Sequence, residues 1–310
     1  MKKDNWEDSS CPICPDGARA THFIECGDRF NEPAKEKFRL VRCPECGLIF
    51  LNPRLSKEAS EIAYREEGYD PFLSLQKPVS TFERMYSTAR QFMLSWKKRL
   101  VAGLIKPGAF VLDGGCSTGE FLNILKDRYI VEGFEPESAA ALWAREQFGL
   151  SVQTGDFDTA TPSRNQYDLI TLWHVLEHLP SPSDGLKKLH SLLSDSGKIL
   201  IAVPNVASLD AKIYGKYWVP LDAPRHLWHF TPETMAKLAE KCGLRIESQG
   251  LLPLDPIYNS LLSEKMDIQA NGRARIFVTP LRLPISIAGS YLYGLFTGNH
   301  SSVYYVLTAS

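Results

Sequence analysis

The sequence predicts an α/β protein: a doubly wound, mostly parallel seven-stranded sheet, preceded by a small cysteine module and a helical linker. Three observations predict it. From residue 109 onward, apolar runs of strand length (Phe110-Val111-Leu112, Ile130-Val131, Leu169-Ile170-Thr171-Leu172, Ile199-Leu200-Ile201) alternate with helical spacing, the pattern of successive strand-helix-strand units. The first strand runs into the glycine-rich turn Asp113-Gly114-Gly115-Cys116-Ser117-Thr118-Gly119, as at the ligand-facing corner of such sheets. Four of the seven cysteines form two close pairs near the start of the chain. At 310 residues and 44% hydrophobic content there is enough chain for one full α/β domain with an appendage, and too little for two large ones. The divisions expected are 1–56 for the cysteine module, 57–106 for the linker and 107–310 for the main domain, with insertions at 205–231 and 251–301.

A formal net charge of -1 and a pI near 6.7 disfavour a protein whose main task is to neutralise phosphates, so nucleic acid is not the expected partner. The first ten residues carry two lysines but no apolar run behind them, and no later stretch reads as a clean membrane span. A cytoplasmic location is expected.

The cysteine pairs are Cys11-Pro12-Ile13-Cys14 and Cys43-Pro44-Glu45-Cys46-Gly47, separated by 28 residues. Each knuckle can offer two thiolates to one tetrahedral ion, and the strand-like runs 21–24 and 38–42 between them would pair and bring the knuckles together. We expect a zinc ribbon, with zinc on Cys11, Cys14, Cys43 and Cys46 stabilising a module too small for its own core. Four protein ligands leave no open position, so that metal is structural. Cys26, Cys116 and Cys242 read as small buried apolar residues.

In the linker, Phe82, Met85, Tyr86, Ala89, Phe92, Trp96, Leu100 and Leu104 recur at helical steps, which predicts one long amphipathic helix ending at Lys106-Pro107-Gly108. Its Lys97-Lys98-Arg99 cluster reads as a solvated face. In the main domain, glycines in the turn after the first strand let backbone approach a ligand closely. The second strand ends in Glu135, 22 residues after Asp113, where an acid can take both hydroxyls of a ribose.

The run from Asp113 to Gly119 resembles the first motif of class I S-adenosylmethionine-dependent methyltransferases, which have a Rossmann-like fold; the dinucleotide-binding G-x-G-x-x-G spacing does not fit. Glu135 matches the family's ribose-binding acid. Gly155-Asp156-Phe157 resembles the third motif, which implies that Asp156 meets the adenine amino group and Phe157 packs against the ring. Residues 167–173 and 197–205 resemble the fourth and fifth strands, and the zinc-ribbon prelude occurs in one branch of the family. Ser117 stands where the usual run has glycine, a departure tolerated if the backbone keeps a negative φ there. The resemblance implies S-adenosyl-L-methionine as cofactor, held by Asp113, Gly114, Gly115, Cys116, Gly119, Glu135, Pro136, Asp156, Phe157 and Trp173.

His174-Val175-Leu176-Glu177-His178 follows the fourth strand, at the sheet edge where ligands of open α/β folds bind. If a helix begins there, His174, Glu177 and His178 share one face. The segment resembles an E-x-x-E-H element of quinone-ring O-methyltransferases, whose carboxylates and histidine are associated with a divalent metal; here His174 replaces the first acid. A metal, a general-base or orienting histidine, and a purely structural turn stay open. His178 is the first candidate base, with His174, Glu177 and His226 completing the catalytic set. Residues 214–230, rich in aromatics and histidine, are expected to line or cover an acceptor pocket, with Arg225, His226 and His229 either gripping a substrate or fixing the loop. The next helix has a threonine cap at Thr231, Pro232 in its first turn and Gly243 as its stop.

The insertion 251–301 separates the two strands of a final hairpin. Its segment 276–296 is markedly apolar, yet two prolines and Arg282 argue against a bilayer span. It is expected to wrap the core or wall the pocket, with peripheral membrane contact or dimerisation as the other readings. The function expected is methyl transfer from S-adenosylmethionine to a small molecule, at oxygen. A nucleotide-sugar C-methyltransferase, an RNA methyltransferase gripping its target through the zinc ribbon, and a non-catalytic methyl-donor-binding module share the same motifs.

Overall fold

The computed structural model describes residues 5–14, 19–30, 37–56, 59–60 and 81–310. The N-terminal segment contributes β1 (Trp6–Glu7), β2 (Thr21–Cys26), β3 (Phe38–Arg42), β4 (Ile49–Leu51) and β5 (Arg54–Leu55). β2, β3 and β4 form an antiparallel meander, and β1 pairs with β5. The inward residues Phe38, Leu40 and all three of β4 are buried, which is why these short runs hold as strands. Most of the expected helical linker, residues 57–58 and 61–80, lies outside the described residues.

Helix α1 (Thr81–Leu104) then leads into the main sheet. Leu94, Val101 and Leu104 pack against the sheet together with the expected Leu100, whereas Phe92 is exposed, contrary to the expected stripe. Trp96 does pack, edge-on to Trp173 and Tyr304.

The remaining elements follow in chain order: β6 (Phe110–Gly114), α2 (Glu120–Leu125), β7 (Ile130–Glu135), α3 (Ser138–Phe148), β8 (Ser151–Thr154), β9 (Tyr167–Trp173), α4 (Pro182–Ser191), β10 (Leu193–Pro204), α5 (Leu209–Tyr214), β11 (Trp228–His229), α6 (Pro232–Lys241), β12 (Leu244–Leu251), α7 (Asp255–Asn271), α8 (Thr279–Thr297) and β13 (Ser302–Ala309). Among the described residues, seven strands make one sheet in the order β12-β13-β10-β9-β6-β7-β8, parallel except for β13, which runs antiparallel to both neighbours. β9 reads as a continuous apolar run because helices cover both faces of a parallel sheet, and four consecutive residues, Leu169 to Leu172, are buried. The sheet is the doubly wound, mostly parallel one the sequence predicts.

The strand order reverses between β6 and β9. Chain leaving β6 crosses to β7 and β8 on one side, and chain leaving β9 crosses to β10 on the other. A crevice therefore opens beyond the carboxyl ends of β6 and β9, where ligands bind in such sheets.

The cysteine segment joins the same core. Cys43, Cys46, Leu48 and Phe50 pack in one cluster with Leu172, Ile201 and Met235. Within the 205–231 insertion, β11 adds a fourth strand to the N-terminal meander by pairing with β4. α6 begins at the Thr231 capping box and its Lys237 and Lys241 ammonium groups donate to the Cys46 and Ile13 carbonyls. The 251–301 insertion is a pair of helices, α7 and α8. Among the described residues no helix is long and apolar enough to cross a membrane.

Candidate functional site

At the end of β6 the chain turns sharply, with Gly115 and Gly119 in the left-handed region (φ 69° and 78°). A Cβ on Gly114 would lie 2.8 Å from Leu172 and Phe134, so nothing larger fits there. Ser117 also has positive φ, 49°, which corrects the expectation of a negative one. Its strain is held by a hydrogen bond: the Ser117 amide donates to Glu135 Oε2 at 2.8 Å. The Glu137 amide donates to Glu135 Oε1 at 2.9 Å, so the acid at the end of β7 pins the glycine turn of β6. A carboxylate has about four lone-pair sites, and these two bonds use two of them. Burial raises the Glu135 pKa, and the two amide bonds partly offset it.

Asp113 is buried and accepts from the Thr171 hydroxyl at 2.5 Å. Burial raises its pKa to about 7. Cys116 is buried against Gly133, whereas Pro136 is exposed beside the Glu135 carboxylate. In the next turn, Asp156 Oδ1 accepts from the Thr159 amide and hydroxyl, which fixes the loop after β8. Phe157 stands edge-on to Phe134 with centroids 4.9 Å apart, and Lys188 donates to its carbonyl at 2.6 Å. Thus all the residues expected around a cofactor occur at the carboxyl ends of β6, β7 and β9 or in the turns after β6, β7 and β8, along one sheet edge.

The sequence missed a cation. Lys97 of α1, read as solvated, instead turns inward: its Nζ lies 4.1 Å from the Trp173 ring centroid and 5.8 Å from that of Phe121. Burial lowers its pKa to about 8, against the attraction of Asp113 and Asp255. The Trp173 Nε1 beneath it is buried with no hydrogen-bond partner among the described residues.

Beyond Trp173 no α-helix starts. His174 has φ 57° and Leu176–His178 form a single 3-10 turn, so the expected convergence of His174, Glu177 and His178 on one helical face does not occur. His174 and Glu177 still meet, Nδ1 facing Oε1 at 3.4 Å, and Nε2 of His174 faces Asp255 Oδ2 of α7 at 3.5 Å. Burial works against a charge on His174, but the two carboxylates outweigh it and raise its pKa to about 9. His178 turns the other way, its Nδ1 3.1 Å from the Arg225 carbonyl and its ring edge-on to His226 at 4.6 Å.

Glu177 is 1% exposed and neither carboxylate oxygen has a hydrogen-bond partner among the described residues. Glu177, His178 and His226 each offer one ligand atom, all within 4.8 Å of one another. His226 Nδ1 is 2.8 Å from the Pro220 carbonyl, and burial together with the neighbouring histidines lowers its pKa well below 6.5. Burial lowers His229 to about 3.

Arg225 is not available for a substrate. Its guanidinium is buried and paired with Asp28 Oδ1 at 2.6 Å and Asp222 Oδ1 at 2.7 Å, tying the 205–231 insertion to the N-terminal segment. Of the two readings of that loop, the fixing one describes Arg225. The four knuckle sulfurs of Cys11, Cys14, Cys43 and Cys46 lie within 4.8 Å of one another as free thiols. Cys26, Cys116 and Cys242 are buried singly.

Comparison with known proteins falls in line with this geometry. A family model described as "Methyltransferase domain" matches residues 85–249. The ubiquinone biosynthesis O-methyltransferase of Aeromonas salmonicida is 28% identical over 190 residues, covering 56% of this chain and 79% of that protein. The protein of the same name from Coxiella burnetii is 26% identical over 174 residues, covering 52% and 72%. Among solved structures, magnesium protoporphyrin IX methyltransferase from Synechocystis PCC 6803 with bound SAH superposes with a TM-score of 0.50 at 18% identity, covering 63% of this chain and 92% of that one.

Proposed function

We infer that this chain, which belongs to the methyltransferase-domain family, transfers the methyl group of S-adenosylmethionine to an oxygen of a small-molecule acceptor. The observation that carries the reading is the coupling of Glu135 to the Ser117 amide at the switch point of the sheet. The residues fit the methyl donor in strand order: Asp156 and Phe157 for the adenine, Glu135 for the ribose, and the turn 113–119 with Trp173 for the methionine end. S-adenosylmethionine supplies a methyl group already activated on a sulfonium. The protein's part is to hold donor and acceptor in line, which can contribute roughly 7–11 kcal/mol, and to take a proton from a hydroxyl. By calorimetry, wild type is expected to bind S-adenosylmethionine and S-adenosylhomocysteine, and Glu135→Ala to bind both at least about tenfold more weakly, the loss of one to two charge-assisted hydrogen bonds. A wild-type chain with no affinity for either compound would end this reading.

Lys97 fits the methionine carboxylate, being a cation held beyond the ends of β6 and β9. A hydrogen bond to a charged group is worth about 1.5–3 kcal/mol, so Lys97→Met is expected to weaken S-adenosylhomocysteine about ten- to a hundredfold. 5′-Methylthioadenosine, which lacks the carboxylate, is expected to bind both forms equally. The depressed pKa of about 8 sets the sign of the pH dependence: Lys97 is charged below it and neutral above it. The advantage of wild type over Lys97→Met therefore shrinks as pH rises through 8. Equal loss of both ligands would show that Lys97 merely supports the helix.

The four knuckle cysteines support a structural zinc, with each sulfur close enough to the others to share one ion and no position left for chemistry. The buried Glu177 carboxylate, which faces His174 but accepts no hydrogen bond among the described residues, favours a second reading of the acceptor edge, in which Glu177, His178 and His226 hold a divalent cation. Metal analysis separates the two: Glu177→Gln is expected to lose one metal equivalent and keep the cysteine-bound one if the cation exists, and to match wild type if it does not.

A further inference from the structure

The helical pair α7 and α8 lies beyond the stretch 85–249 that matches the family. The inner stripe of α8 is small and polar. Ser286 and Ser290 are buried, their hydroxyls bonded to Ser260 of α7 and to Asp210 of α5. The outer side is the reverse, since every exposed residue from Pro280 to Phe296 is apolar. Phe277, Leu281, Ile285, Leu292, Leu295 and Phe296 lie along it, the two phenylalanines at opposite ends 89% and 87% exposed. A helix of 19 residues spreads this face over about 28 Å.

The charges around it are sorted by sign. Of the three acids in this insertion, Glu264 and Asp267 are buried against Arg282, and Asp255 turns to His174. The exposed charges are the cations Lys265 and Arg275, the latter also facing Asp267 at 3.8 Å, and Lys212, whose ammonium donates to the Tyr293 hydroxyl of α8. An apolar face whose insertion exposes cations and no acid complements the headgroup boundary of an anionic membrane. It suits a second copy of the chain less well: a two-fold contact would set the same cations against each other, and protein interfaces carry a hydrogen bond every 100–200 Å² or so.

We propose that the outer face of α8 docks this protein on the surface of a bilayer containing anionic lipid, lying in the interface without crossing it. The test is sedimentation of the full-length protein with vesicles of phosphatidylcholine alone and of phosphatidylcholine mixed with phosphatidylglycerol. Wild type is expected to bind the mixed vesicles at least tenfold more tightly than the neutral ones, and more weakly as salt rises. The double variant Leu281→Glu/Leu292→Glu is expected to lose at least tenfold in binding to the mixed vesicles, with its S-adenosylhomocysteine affinity and melting temperature unchanged because both side chains are exposed. Lys265→Glu/Arg275→Glu is expected to lose the preference for phosphatidylglycerol. The proposal is overturned if wild type sediments with neither vesicle, if the leucine variant binds as wild type does, or if the same variant dissociates a dimer without altering vesicle binding. Donor affinity is read separately by calorimetry, so failure here leaves the methyl-transfer reading standing.

Discussion

Replacing His178 by alanine is expected to lower kcat about a hundred- to ten-thousandfold while leaving the affinities for S-adenosylmethionine and its demethylated product unchanged. A carbonyl only accepts, so the contact of His178 Nδ1 with the Arg225 carbonyl puts the proton on Nδ1, the tautomer in which Nε2 is the basic nitrogen. His174 is arranged for the opposite state. Carboxylates face both of its nitrogens, which holds it as an imidazolium and leaves no lone pair for a base. That pairing suits His174 to positioning Glu177, so His174→Asn is expected to cost less than His178→Ala. Stopped-flow or steady-state turnover of both variants, alongside calorimetry for the methyl donor, checks the assignment. Full turnover in His178→Ala with a collapse in His174→Asn would reverse it.

The sheet was legible because each strand carries its own evidence: a continuous apolar run such as Leu169 to Leu172 is buried on both faces and needs no distant partner to be recognised. The corner at Asp113 to Gly119 was legible for the same reason, since its glycines answer a local backbone demand. Lys97 was hidden by its neighbours Lys98 and Arg99, both exposed. A closer look at spacing would have found it, because Lys97 falls between Leu94 and Val101 on the packed stripe of α1, and a cation on such a stripe has something to face. The left-handed Ser117 depends on a carboxylate 18 residues away, and the end of β9 depends on Asp255, 81 residues beyond His174. No pattern within a window of helix or strand length contains either pair. Likewise the two-residue β11 exists only because β4 is there to receive it, and Arg225 reads as a substrate clamp until Asp28 is brought beside it.

That last dependence gives the N-terminal cysteines an effect on turnover. If the four knuckle cysteines hold zinc as proposed, the double variant Cys43→Ser/Cys46→Ser is expected to lose that metal, to become more open to proteolysis in the cysteine segment, and to turn over at least about tenfold more slowly, with methyl-donor affinity altered far less. Metal binding by a four-cysteine site contributes about 10–16 kcal/mol, as large as the roughly 5–15 kcal/mol stability of a whole domain, so losing such a metal is expected to loosen the module. The loss has a path to the acceptor edge. Leu48 and Phe50 leave the second knuckle into the shared core, Phe50 stacks on Trp228 at 5.7 Å, and the Leu51 amide donates to the Leu227 carbonyl at 2.9 Å. The Leu227 amide in turn donates to the Glu177 carbonyl at 2.8 Å, the residue next to His178. The hydrogen bonds that fix the methyl-donor corner, from the Ser117 and Glu137 amides to Glu135, lie at the ends of β6 and β7 instead, which is why binding and turnover are expected to part. Metal content, a timed protease digest and initial rates measure the three effects. Wild-type rates from a variant shown to be free of metal would refute the connection.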